Sequence, residues 1–231
     1  MPRAPKLVIL DCDGVLVDSE TISVAVLAEF VRKAGADIGE EHAYRLFLGR
    51  SIGAVKDALR SEFALTLGKA QLDGVRAETF RRFRGELQPM PGIVEALARL
   101  EVRRCVASSS SLERIRLSLD LTGLLEMLEP HIYSASMVTR GKPAPDLFLH
   151  AAKAMGVRPE DCVVVEDSPA GMEAARQAGM RVFAFTGGSH AGHAALETKL
   201  AAFRPDRVFS DMRMLPDLVA EKPSRTGRRT G

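Results

Sequence analysis

The 231-residue chain has no tryptophan, two tyrosines and three cysteines. The thiols are odd in number, and Cys12, Cys105 and Cys162 each lie in or beside a strand-like apolar run. That excludes a disulfide framework and predicts buried free thiols in a reducing, cytoplasmic setting. No C-x-x-C or other metal-binding cysteine spacing occurs. No apolar run approaches the roughly 20 residues of a membrane span. Arg3 and Lys6 precede an apolar stretch, but Asp11 ends it after four residues, which argues against a signal peptide. Internal repeats are absent. A strong charge of either sign is missing too: the formal net charge is +2. Four Lys/Arg and no acid fall in residues 222–231 (KPSRTGRRTG), so the rest of the chain is net acidic. With no aromatics interleaved, that stretch predicts a disordered basic tail and not a nucleic-acid contact.

What is present is a globular composition, 46% apolar and 27% charged, long enough for one large domain and a smaller one. Apolar, β-rich runs occur at 7–10, 102–107, 131–133, 162–165, 182–185 and 207–209. Helical patterns at 92–100, 112–121, 146–155 and 170–178 separate the later runs. Short apolar strands alternating with helices predict a parallel sheet covered on both faces. Ser168 suits an N-cap, Pro169 the first helical position and Gly179 the residue past the helix end.

The alternation fails between Ser19 and Glu86, where no convincing strand appears. Helical candidates stand at 21–34, 40–47, 52–63 and 69–84, separated by Gly-containing breaks. An all-helical insert after the first strand, returning through Leu87–Gly92 (LQPMPG), predicts a cap on two hinges. The expected division is residues 1–18 with 87–220 as the α/β core, 19–86 as the cap and 221–231 as the tail.

In open parallel sheets, ligands bind beyond the carboxyl ends of the strands. Four of the runs are followed there by polar residues. After the first come Asp11, Asp13 and Gly14; after the second, Ser108–Ser111; after the third, Lys142 in RGKPAPD; after the fourth, Glu166 and Asp167. Acids, hydroxyls and one lysine suit metal-assisted phosphoryl transfer through a covalent aspartate. One carboxylate attacks phosphorus, another handles the proton, and hard oxygen ligands hold Mg²⁺. Hydroxyls and lysine bind the phosphoryl oxygens. Two neighbouring carboxylates titrate apart, one ionised and the other more readily protonated, and Mg²⁺ with Lys142 would favour the ionised form at Asp11.

The segments DCDGVLVDSE, VASSSS, GKPAPD and VVVEDSPAG, in this order, resemble the four motifs of the haloacid dehalogenase superfamily of phosphohydrolases. The resemblance covers about residues 6–219. The helical insert is similar to that of the subgroup containing β-phosphoglucomutase and small sugar-phosphate phosphatases. FLHAAKAMGVRPEDCVVVEDS looks closest to bacterial 6-phosphogluconate phosphatases. The resemblance implies a Rossmann-like three-layer α/β core with an inserted α-helical cap. It makes Asp11 the nucleophile and Asp13 the acid/base, whose backbone carbonyl binds Mg²⁺. Ser108, with Ser109 beside it, would hold a phosphoryl oxygen, Ser110 being the second choice. Lys142 would bridge the phosphoryl group and the acids. Asp167 would bind Mg²⁺, with Glu166 a ligand or an outer partner. Arg50, between two cap helices, and Glu20, after the first hinge, are the substrate-binding candidates.

The function implied is a cytoplasmic Mg²⁺-dependent phosphatase for a small phosphorylated sugar or sugar acid. It would act as a monomer or weak homodimer, with no nucleic-acid or membrane partner. The alternative is a β-phosphoglucomutase-like mutase; mutases carry Thr-Ala and then a histidine after the first motif, where this chain has DSETIS. A dehalogenase would leave Asp13 and Asp167 without a role. A phosphonate hydrolase needs a cap lysine, and Lys33, Lys56 and Lys69 fall in no matching motif. A binding-only protein would be expected to have lost the nucleophile or a metal carboxylate. Pleat alternation points Cys12 away from the two aspartates. His190 and His193 have the spacing of a metal pair but read as loop residues, and Arg81, Arg82 and Arg84 as a solvated helix face.

Overall fold

A computed structural model describes residues 4–193 and 195–221; of the predicted tail, 221–231, residues 222–231 lie outside the described residues. Strand β1 (Leu7–Leu10) leads into four helices, α1 (Glu20–Lys33), α2 (Glu40–Phe47), α3 (Ile52–Phe63) and α4 (Lys69–Glu86). Then follow α5 (Ile93–Arg99), β2 (Arg103–Ser108), α6 (Leu112–Leu121), α7 (Leu125–Leu128), β3 (Ile132–Ser134) and α8 (Asp146–Ala154). The chain continues through β4 (Cys162–Glu166), α9 (Pro169–Gln177), β5 (Arg181–Phe185), α10 (Leu196–Ala202), β6 (Arg207–Phe209) and α11 (Leu215–Ala220).

The six strands form one parallel sheet in the order β3-β2-β1-β4-β5-β6. All four β1 side chains are fully buried, because both faces are covered. Val8 and Leu10 pack with Ile93, Leu97, Ile115, Leu119 and Leu215, from α5, α6 and α11. Leu7 and Ile9 pack on the opposite face with Leu147, Phe148, Met172 and Leu200, from α8, α9 and α10. A strand buried on both sides must be apolar at every position, as LVIL is. Each such side chain contributes about 1.5–3 kcal/mol on burial.

Strand order reverses at β1, where Leu10 aligns with Val106 of β2 and Val165 of β4. Residues just past β1, β2 and β4 therefore converge at one crevice. Helices α1–α4 stand over it with their own core, which includes Val31, Ile38, Phe47 and Leu59. The two connecting segments run side by side: Asp18 N–H donates to Gln88 O at 3.0 Å, and Met90 N–H to Leu16 O at 2.9 Å. Gly92, on the return, has φ +80°, a conformation that favours glycine. Among the described residues, no helix is long and apolar enough to cross a membrane.

Candidate active site

Asp11 is the first residue beyond β1, 7% exposed. Lys142 Nζ donates to its Oδ1 at 2.7 Å and also to Glu166 Oε1. That ammonium is itself buried, 4.9 Å from the Phe148 ring centroid. Burial alone would lower its pKa, but Asp11 and Glu166 outweigh that and raise it, so Lys142 stays charged. Asp11 moves the other way from the usual carboxylate expectation. Burial pushes its pKa well up; Lys142 opposes this, while Glu166 and Asp167 add to it.

Asp13 lies apart from these acids and is held by a separate set of donors. Ser19 Oγ donates to Oδ1 at 2.6 Å, Ser110 Oγ to Oδ2 at 2.6 Å, and Arg114 Nη2 to Oδ1 at 2.7 Å. Burial raises the Asp13 pKa, but the Arg114 charge and the two hydroxyl hydrogen bonds prevail and lower it. Burial and the neighbouring acids thus act against an ionised Asp11, leaving Lys142 and a bound cation to favour it, whereas the donors around Asp13 favour its ionised form. The strongest of those donors is Arg114, which the sequence reading missed. It sits in the first turn of α6, directly after the serine run, and that position is the signal that could have found it.

The four serines divide their work. Ser111 caps α6, accepting from Arg114 N–H at 3.3 Å. Ser108, 1% exposed, accepts from Ser110 N–H at 3.1 Å. Ser110 is bonded to Asp13, and Ser109 is exposed. All four border a cavity of about 290 Å³ between the core and α1–α4, together with Asp11, Asp13, Lys142, Arg114, Glu20 and Arg50. Its far wall is apolar: Val24, Leu27, Phe47, Ile52, Val55 and Val75. Glu20 is raised to about 7, chiefly by burial and then by the charges of Asp13 and Asp167.

Asp11, Glu166 and Asp167 each bring one carboxylate oxygen within 4.8 Å of the others, all buried. Hard anionic oxygens in this arrangement suit a cation such as Mg²⁺. Among the described residues, Lys142 is bonded to Asp11 and Glu166, Arg114 to Asp13, and the His190 imidazole faces Asp167, so four carboxylates gather here and a divalent ion would add positive charge among them. Glu166 is fully buried, and its oxygens are already committed. Oε1 accepts from Lys142, and Oε2 accepts from Asp167 N–H, Ser168 N–H and Ser168 Oγ at 3.1, 3.1 and 2.9 Å. The Asp13 side chain is outside this cluster.

Several other sequence readings can now be placed. Cys12 is in the core cluster beside β1, and burial followed by the two neighbouring aspartates pushes its thiol pKa up. His190 and His193 do not face one another across a metal. His193 stacks on Tyr44, ring centroids 3.8 Å apart, whereas His190 is 1% exposed with Nε2 2.9 Å from Asp167 Oδ2. His190 is thus a site neighbour where only a loop residue was expected; the flanking Gly187 and Gly188 were the available hint. Arg82 is not simply solvated: its Nη2 donates to Glu29 at 2.6 Å, tying α4 to α1.

A family model described as haloacid dehalogenase-like hydrolase matches residues 5–179. The 6-phosphogluconate phosphatase of Escherichia coli K12 is 34% identical over 186 residues, covering 80% of this chain and 84% of that protein. Hexitol phosphatase A of the same organism is 30% identical over 186 residues, covering 76% and 81%. A crystal structure of a conserved haloacid dehalogenase-like protein of unknown function from Agrobacterium tumefaciens superposes with a TM-score of 0.82 at 39% identity, over 93% of this chain and 97% of that one.

Proposed function

The chain belongs to the haloacid dehalogenase-like hydrolases and is a phosphatase, and on that premise we propose that it acts on a small phosphorylated sugar or sugar acid in a Mg²⁺-dependent reaction through an aspartyl phosphate. The observation that carries this reading is Asp11. It is a buried carboxylate on the floor of a cavity of about 290 Å³, 2.7 Å from a buried ammonium. A nucleophile of this kind needs positive charge to stay ionised, because burial and two neighbouring acids act against it.

Asp11 Oδ attacks phosphorus as the bond to the leaving alkoxide breaks. Asp13 gives that alkoxide a proton, and later takes one from the water that hydrolyses the acyl phosphate. Lys142 and Ser108 bind phosphoryl oxygens. We assign Asp11 and Asp167 side chains and the Asp13 backbone carbonyl to Mg²⁺, with Glu166 orienting Lys142 and the Asp167–Ser168 backbone. When bound, Mg²⁺ would supply charge to the phosphoryl oxygens. Residues 19–86 act as the cap that closes the cavity from above and carries Glu20 and Arg50 to the sugar. The free buried thiols agree with a cytoplasmic setting.

The test is phosphate release over a panel of 6-phosphogluconate, hexitol phosphates and hexose phosphates with Mg²⁺, beside Asp11→Asn. Turnover surviving that substitution would sink the covalent mechanism. Conversion of β-glucose 1-phosphate to glucose 6-phosphate faster than phosphate release would select a mutase. No turnover on any member would leave a binding protein.

A further inference from the structure

His190 is an imidazole that the proposed reaction does not use, held deep inside the molecule by a loop that the sequence marks only with glycines. It is 1% exposed, its Nε2 lies 2.9 Å from Asp167 Oδ2, and its Nδ1 is buried with no hydrogen-bond partner. An ionised carboxylate only accepts, so Nε2 carries the hydrogen of this pair. Burying an imidazole with one nitrogen unsatisfied is costly, and two backbone positions are kept bare to do it. A Cβ on Gly14 would fall on Asp167 Oδ2 and stand 3.0 Å from His190 Cε1. One on Gly188 would fall on His190 Cε1 and stand 2.6 Å from Nδ1. Apolar packing alone would be met by a leucine or methionine. The imidazole adds a directed N–H aimed at one carboxylate oxygen.

The loop that carries it is fixed at both ends. Ser189 N–H and Oγ donate to Asp18 Oδ1 at 3.2 and 2.8 Å, and His193 N–H donates to His190 O at 3.0 Å. Anchored in this way, His190 has no freedom to follow Asp167, so Asp167 must conform to His190. We propose that His190 is a positioning residue for the divalent-cation site: its Nε2–H fixes the rotation of the Asp167 carboxylate, leaving the other oxygen to face Asp11 and Glu166. This rests on the reading of Asp167 as a cation ligand. Partners of this kind, one bond removed from the ion, typically set metal affinity by about 10- to 100-fold.

The experiment is a calorimetric Mg²⁺ titration of the substrate-free chain, repeated as the Mg²⁺ dependence of thermal unfolding. Three variants are compared with wild type. His190→Met fills the slot without an N–H, His190→Gln offers an amide N–H near the Nε2 position, and His193→Ala alters the same loop away from Asp167. The expected result is about 10- to 100-fold weaker Mg²⁺ binding in the Met variant, with most of the loss recovered in Gln and little change in His193→Ala. Met binding as tightly as wild type overturns the inference, as does Gln binding no better than Met. An equal loss in His193→Ala also overturns it, because the effect would then belong to the loop as a whole. A wild-type chain that binds no Mg²⁺ overturns the cation reading itself, and this inference with it.

Discussion

Arg114 Nη2 lies 2.7 Å from Asp13 Oδ1 and 2.9 Å from Ser23 Oγ, so one guanidinium joins the proposed acid/base carboxylate to the first cap helix. Its plane also rests 4.9 Å from the Phe83 ring centroid. With Ser19 and Ser110 adding hydroxyl donors, Asp13 is held as a carboxylate, suited to take a proton from water. Delivering a proton to a leaving group first requires release from this grip. Arg114→Met leaves Asp13 buried without its charge partner and disturbs both halves of the cycle. The expected loss in kcat is on the order of 10²-fold, with KM changed much less, and Arg114→Lys restores part of it. Steady-state phosphate release checks this; a Met variant with wild-type kcat would remove Arg114 from the mechanism.

Gly171 offers a prediction opposite in sign to ordinary helix propensity. It lies in α9, where alanine would normally gain about 1 kcal/mol over glycine. Here a Cβ would fall on the Glu166 carboxylate. That carboxylate cannot retreat, because Lys142 and the Asp167 and Ser168 amides hold it. Gly171→Ala is therefore expected to destabilise the fold by about 2–4 kcal/mol and to depress turnover by displacing Glu166. Urea unfolding with linear extrapolation measures the first; a stability gain would mean that the clash is absent in solution.

These two cases also show where the sequence was readable. Strands 7–10 and 207–209 and helices 40–47, 52–63 and 112–121 were predicted with the bounds found, because apolar periodicity reports burial directly. Asp11, Asp13, Lys142 and Asp167 follow strand ends and Glu166 is the last residue of β4, so topology alone brings them to one edge of the sheet. Arg114 and His190 do not. One reaches Asp13 from a helix turn, the other reaches Asp167 from a loop, and such reach depends on tertiary placement that no period encodes. Helices α7 and α11, at 4 and 6 residues, are too short for periodicity to register. That a guanidinium favours the ionised form of Asp13 was illegible for the same reason as Arg114 itself.

Glu20 should write a pH signature into stability. Burial, then the Asp13 and Asp167 charges, raise it from 4.5 to about 7. Between those values the folded chain holds a proton that the unfolded chain has lost. Stability is therefore greatest below about pH 4.5 as far as this group is concerned, falls as pH rises toward 7, and levels off above it. The contribution is on the order of 1–3 kcal/mol. Thermal unfolding across pH 5–8 in a chelator tests it, and Glu20→Gln should flatten the decline. An equally steep decline in that variant assigns the effect elsewhere. A protonated Glu20 can also donate to a sugar hydroxyl at the cavity wall, which a fully ionised one cannot.

Arg50 provides the sharpest test of substrate class. It is exposed on the loop between α2 and α3 and borders both the cavity over Asp11 and a neighbouring cleft beside Tyr44 and Lys199. The loop is held close to the core, since a Cβ on Gly49 would stand 2.9 Å from Ser168 Cβ. Opposite the catalytic floor the wall is mostly apolar, so Arg50 is the cation placed to meet an anionic far end of the substrate. A carboxylate there would gain a charge-assisted hydrogen bond, worth about 1.5–3 kcal/mol, whereas a hexitol end would gain far less. Arg50→Ala should therefore raise KM for 6-phosphogluconate by about 10- to 100-fold while leaving kcat and the KM for a hexitol phosphate nearly unchanged. An equal rise for both substrates would mean that Arg50 reads the phosphoryl group or a shared hydroxyl, and that the carboxylate is not what this cavity selects.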